Sequence, residues 1–250
     1  FVLLKNGKVD GRQLLPLGKN LKLALVGPLA DAGVQYQGCW AVAARDSYPS
    51  LLDEMRRIDG ISLKYAKGCN ILEDERLEKI VTPGKASRWD RRPLDEMISE
   101  AVSAARNSDV VVAAMGEAAN MSGESGSRTD ISLPECQKKL LKALTGTGKP
   151  VVLVLFSGRP MTLAWENEAM TSILQTWFGG SEAADAITDV LFGDVNPSGK
   201  LTMSFPCSVG QIPVYYNMKN TGRDAYSKDY RRYASNWIDC PNEPLYPFGY

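Results

Sequence analysis

Apolar residues fall in short, nearly unbroken runs that recur along the chain. Leu21-Lys-Leu-Ala-Leu-Val-Gly27 is the first, and residues 61–65, 109–115, 151–156 and 172–177 repeat the pattern. Runs of this length, bounded by glycine or proline and rich in valine, predict strands buried on both faces. Between them the period changes. Leu94, Met97, Ile98, Ala101, Val102 and Ala105 follow the i, i+3, i+4, i+7 spacing of one buried helix face. Ser132-Leu-Pro-Glu135 predicts a capping box with proline in the first turn, opening a helix that carries Leu140, Leu141 and Leu144. Gly146-Thr-Gly-Lys-Pro150 supplies its stop. Residues 181–192 predict a third helix, closed by Gly193-Asp-Val-Asn-Pro197.

Strands without strict alternation, separated by helices, predict an α/β fold with a mostly parallel sheet covered by helices on both faces. Right-handed crossovers put the loops that follow the strands along one edge of such a sheet, where ligands bind. Four loops qualify: residues 28–46, 117–130, 157–163 and 178–181. From Pro206 onward the chain is rich in tyrosine, proline and arginine and loses its periodicity, which predicts an extended arm over the surface.

The composition matters most for an absence. The 250 residues include no histidine, which excludes Ser-His-Asp and Cys-His catalysis, histidine general bases and histidine-ligated metals within the chain. Chemistry here must rest on carboxylates, lysine, tyrosine or a partner domain. Lysine plus arginine and aspartate plus glutamate balance at 29 each, so no electrostatic argument favours a nucleic acid or a membrane surface. The apolar runs are far too short to span a bilayer. The five cysteines contain no C-x-x-C pair, so no metal site is expected. They read as buried or incidental thiols, with one pair open to oxidation and no indication of which. No signal peptide is expected where Phe1-Val-Leu-Leu meets Lys5, and the chain reads as a fragment at both ends.

After Val26 the sequence Gly27-Pro-Leu-Ala-Asp31 has neither the G-x-G-x-x-G of a dinucleotide fold nor a P-loop, which argues against a flavodoxin-like nucleotide module. The 117–130 loop, Gly116-Glu-Ala-Ala-Asn-Met-Ser-Gly-Glu-Ser-Gly-Ser-Arg-Thr-Asp130, follows the most apolar strand and combines glycines and serines with one arginine and three carboxylates. Its length inside a compact α/β unit marks either a functional loop or a solvated flexible one, and composition alone favours the second.

Further motifs change that balance. Leu25-Val-Gly-Pro28, Glu124-Ser-Gly-Ser-Arg128, Ser157-Gly-Arg-Pro160 and Trp177-Phe-Gly-Gly180 are followed by Leu191-Phe-Gly-Asp194 and Asn196-Pro-Ser-Gly-Lys-Leu201. Ser204-Phe-Pro206, Gln211-Ile-Pro-Val-Tyr-Tyr216 and Leu245-Tyr-Pro-Phe-Gly249 complete the series. As an ordered set covering the whole chain, they resemble the C-terminal α/β domain of family 3 glycoside hydrolases of the bacterial periplasmic β-glucosidase type. The resemblance implies a three-layer sandwich with about six strands. Residues 1–20 would be a linker or arm from a missing N-terminal barrel, 21–205 the sandwich, and 206–250 the arm packed upon it. It also implies a retaining glycosidase acting on terminal β-D-glucosyl or related residues, periplasmic or secreted, with no cofactor and no metal. The (β/α)8 barrel would hold the nucleophile, and this domain would supply the acid/base to a β-glucoside or oligosaccharide substrate.

A retaining mechanism needs its two carboxyl groups only ~5 Å apart. The resemblance maps the acid/base onto Glu124, on a loop able to reach across a domain interface. Glu117, fixed at the strand end beside Gly116, is the alternative and reads equally as structural. Arg128 suits a carboxylate or a sugar hydroxyl, or is a surface charge flanking a helix. Met121 lines the pocket mouth or anchors the loop. Trp40 resembles a tryptophan flanking the pocket, where an aromatic face suits a pyranose ring; the competing reading is a buried tryptophan. Ala44 stands where some plant relatives carry a second tryptophan, so no double-tryptophan clamp is expected. The 120–127 segment is expected to be mobile. A carbohydrate-binding or scaffold domain without chemistry is the reading from a different class.

Overall fold

The computed structural model describes residues 1–41, 47–82, 89–219, 222–223, 232–234 and 236–250. Its centre is a six-stranded sheet in the order β1 (Val2–Asn6), β8 (Ser172–Gln175), β7 (Val151–Phe156), β6 (Val110–Gly116), β4 (Lys22–Val26), β5 (Ser62–Ala66). All neighbouring pairs are parallel except β1 with β8. A separate hairpin pairs β2 (Lys8–Val9) with β3 (Arg12–Gln13). The predicted strands are all present. Residues 1–20, expected as a linker, instead open with the edge strand β1, which buries Val2 and Leu4 against the sheet. Alternation over those five residues is too short to stand out in sequence.

The apolar runs are continuous because both sides of the sheet are covered. Every residue of β6 and β7 is buried. Successive side chains alternate between two cores. Leu23, Leu25, Val112, Ala114, Val152 and Val154 join the core under α1 (Leu51–Met55) and α6 (Ala183–Phe192). Ala24, Val26, Val111, Ala113, Leu153 and Leu155 join the core under α3 (Leu94–Arg106) and α4 (Glu135–Thr145). Each fully buried Val or Leu stabilises the fold by about 1.5–3 kcal/mol. The chain is therefore the expected three-layer α/β sandwich. Two further helices, α2 (Glu75–Val81) and α5 (Ala164–Ala169), lie in the connections.

The capping box expected at Ser132 does not form. The helix α4 starts at Glu135 with Pro134 at its N-cap and no side-chain cap there. Glu73 reaches over instead and accepts from the Cys136 N–H, while Asp130 accepts from the Ser132 N–H at 2.8 Å. A box does occur where none was predicted, between Ser50 and Asp53 at the start of α1.

Among the described residues beyond 206, the last five pack back on the sandwich. Phe205 and Tyr246 form an antiparallel bridge, Gly249 N–H donates to the Leu201 carbonyl at 2.8 Å, and the Tyr250 hydroxyl donates to the Leu4 carbonyl at 3.0 Å. Trp177 stands edge-on to Phe205, which stands edge-on to Tyr246.

Candidate functional site

The strand β6 ends at Gly116, where φ is +136° and a Cβ would sit 1.8 Å from the Phe156 carbonyl oxygen. Only glycine fits this close approach. Gln137, buried on α4, holds the strand end: its amide oxygen accepts from Gly116 N–H at 2.8 Å, and its nitrogen donates to the Gly116 carbonyl at 2.9 Å. Glu117 is thereby fixed at the strand's mouth.

Glu117 is fully buried and lies between two guanidinium groups. Its Oε1 is 2.9 Å from Arg128 Nη1 and 3.1 Å from Arg159 Nε. Both arginines continue to backbone carbonyls: Arg128 to that of Ser132, Arg159 to those of Met121 and Gly126. A buried carboxylate is tolerated only when paired and hydrogen-bonded in this way. Glu117 is thus the anchor of a clamp, and Arg128 and Arg159 are its arms.

The clamp shapes the loop. Ala119–Met121 form a 3-10 turn whose first N–H is accepted by the buried Gln35 amide oxygen at 2.9 Å. Met121 is buried as a loop anchor and its surface borders a groove of about 390 Å³ that also meets Leu72, Ser125, Arg128 and Leu133. Gly126 N–H donates to the Gly123 carbonyl at 3.1 Å, closing a turn with Glu124 and Ser125 at its corners. Ser125 has φ of +60°, the geometry of a type II turn. Glu124 is exposed at the tip. The feet of the 120–127 segment are tied down, and residues 123–125 project.

Trp40 lies beside this tip. A Cβ on Gly123 would meet Cys39 Sγ at 2.3 Å and Trp40 Nε1 at 3.3 Å, so the two loops touch through the glycine. Trp40 is 68% exposed, which rules out the buried-tryptophan reading in this chain. Its loop is held from beneath by Tyr36, stacked on Phe156 with ring centroids 4.5 Å apart. The Tyr36 hydroxyl donates to the Leu29 carbonyl and accepts from Leu51 N–H; burial pushes that hydroxyl's pKa up. The 157–163 loop closes the other side: a Cβ on Gly158 would lie 2.0 Å from Ser122 Oγ. Ser132, through its hydroxyl and then its N–H, holds Asp130 below the usual carboxylate range.

The structure brings Glu124, Trp40, Met121, Arg128 and Glu117 to one corner of the carboxyl edge. Ala44 lies outside the described residues. Sequence reasoning missed Arg159 and Gln137 as site-building residues. Both left a signal: a cation between Gly158 and Pro160 after the apolar β7, and an amide on an otherwise apolar helix face. Among the described residues no three His, Cys, Asp or Glu side chains gather as metal ligands.

The corner thus presents an exposed carboxylate beside an exposed aromatic face on an α/β sandwich. The model of the glycosyl hydrolase family 3 C-terminal domain matches residues 1–250, and the chain belongs to that family. A periplasmic beta-glucosidase of Salmonella typhimurium is 47% identical over 100% of this chain and 32% of that protein. A beta-xylosidase of Formosa agariphila is 38% identical, again over the whole chain and 32% of its own length. Among solved structures, a beta-glucosidase from Listeria innocua in complex with isofagomine superposes with a TM-score of 0.83 at 38% identity, covering 100% of this chain and 31% of that one. The chain spans about a third of the length of these relatives.

Proposed function

We propose that this chain supplies the general acid/base, Glu124, to a retaining glycosidase of the β-glucosidase type. The catalytic nucleophile stands on a (β/α)8 barrel domain outside the chain. In the first half-reaction Glu124 protonates the oxygen of the departing alcohol while the barrel carboxylate attacks the anomeric carbon. In the second, Glu124 takes a proton from the water that releases the sugar. Trp40 offers an apolar platform to the sugar ring or the leaving group. The substrate is a terminal β-D-glucosyl or related residue, since relatives carry both glucosidase and xylosidase names. The name of the Salmonella relative supports a periplasmic or secreted setting. Alone, the chain would be inactive.

One observation carries the reading. Of the two candidate carboxylates, Glu117 is sealed and engaged by two arginines, whereas Glu124 projects from a turn whose feet, the carbonyls of Met121 and Gly126, are held by one of them, Arg159.

The test is Glu124→Gln in the full-length enzyme. An activated aryl leaving group departs without a proton, whereas an alkoxide must be protonated as it leaves. Turnover of poor leaving groups should therefore fall ~10²–10⁴-fold further than that of activated ones. Azide should partly restore turnover of activated substrates by attacking the glycosyl-enzyme without general-base help. Uniform loss on both substrate types, with no azide rescue, would transfer the proton to another group.

A further inference from the structure

We propose that Cys207 and Cys240 form a disulfide that fastens the C-terminal arm to the sandwich. The two cysteines belong to segments that the fold already holds side by side. Phe205 and Tyr246 pair as an antiparallel bridge, with N–H···O distances of 2.8 and 3.3 Å. Next to it, the Gln211 side chain bridges the two segments. Its oxygen accepts from Cys207 N–H at 2.6 Å, and its nitrogen donates to the carbonyl of Pro241, the residue after Cys240, at 2.5 Å. The Cys207 thiol donates to the Glu243 carbonyl at 3.6 Å. The thiols of Cys207 and Cys240 also contact each other, and burial comes first among the causes that hold both above the usual thiol range. Neither is a poised nucleophile, which suits a structural bond rather than a catalytic or sensing one.

Access separates this pair from Cys69 and Cys136. Those two also contact each other, but both are sealed in the core. Cys207 and Cys240 are half-buried and open to an oxidant. Oxidation removes two protons and two electrons from the thiols and joins the sulfurs. A small-molecule disulfide such as glutathione disulfide accepts them and leaves as two thiols. The new bond closes the long stretch 208–239, and the stabilisation grows with the length of chain enclosed. It thereby fixes the face of Phe205, Tyr246 and Tyr250 against β1.

The experiment incubates the full-length protein with glutathione disulfide, then alkylates it in denaturant without reduction and digests it with trypsin. The Cys207 peptide, residues 201–219, should be joined to the peptide beginning at Tyr233 that carries Cys240. The mass should equal the sum less two hydrogens, and the species should vanish on reduction. Alkylation of both cysteines, glutathione on each without a link, or a Cys69–Cys136 link in its place would each overturn the assignment. Cys240→Ala should lower the Tm relative to the oxidised parent and match the reduced parent. Equal Tm in all three would refute the fastening role. Should that variant fail to fold, the peptide link in the parent still decides.

Discussion

Glu117→Gln keeps the shape of the side chain and removes the charge that two arginines share. The fully buried carboxylate places Oε1 at 2.9 Å from Arg128 and 3.1 Å from Arg159, with Oε2 at 3.4 Å from Arg159 Nε. An amide keeps one acceptor and turns its N–H₂ toward a guanidinium, donor against donor. Breaking a buried ion pair by removing one partner costs about 3–5 kcal/mol. Glutamine retains part of the hydrogen bonding, and the arginines are 18% and 21% exposed, so the lower end applies. A loss of ~3 kcal/mol in a domain of this size corresponds to a Tm lower by ~6–12 °C.

Thermal unfolding of the chain followed by circular dichroism measures the shift. It should change little with salt, because buried pairs are weakly screened. In the full-length enzyme the same substitution should lower kcat about equally for good and poor leaving groups, without azide rescue, since the loop loses its posture and not its proton. Arg159→Ala should act in the same direction, and the double variant should fall well short of the summed effects, as groups in one network do. A Tm within a degree or two of the parent would refute the clamp. A leaving-group dependence in Glu117→Gln that is absent from Glu124→Gln would exchange their roles.

The purified chain alone should hydrolyse no aryl β-glucoside above background, because one member of a cooperating carboxylate pair retains little of the rate; turnover abolished by a substitution within the chain would overturn this. Gly116→Ala should destabilise by at least about 3 kcal/mol, since a Cβ would collide with the Phe156 carbonyl and the backbone lies at positive φ; urea unfolding measures it. Trp40→Ala should leave stability within about 0.5 kcal/mol, because the ring is exposed. In the full-length enzyme it should raise KM roughly fivefold, the loss of about 1 kcal/mol of aromatic contact; an unchanged KM would remove Trp40 from the site.

Much of the sandwich is legible in the chain because its signals are local and long. The unbroken runs of β6 and β7 can only be strands buried on both sides, and the spacing from Leu94 to Ala105 can only be one covered helix face. The short elements escaped. Both α1 and α5 offer at most two turns, too few for a period to show, and β1 becomes a strand only because β8 pairs with it. The misplaced box at Ser132 fits the same account: the cap of α4 came from Glu73, which no local pattern connects with Cys136.

Both candidate carboxylates, Glu117 and Glu124, were visible in the sequence, and so were the strand end that bears them and the edge of the sheet where they lie. What the sequence by itself determined was this inventory and its placement, because strand period and glycine punctuation act over neighbouring residues. Only the tertiary structure decided how the carboxylates differ. Arg128 stands eleven residues from Glu117 and Arg159 forty-two, yet both converge on its carboxylate, seal it, and leave Glu124 projecting beside Trp40. Burial and charge pairing depend on what the whole fold brings within a few ångströms, and residues so far apart in the chain carry no local mark of that meeting.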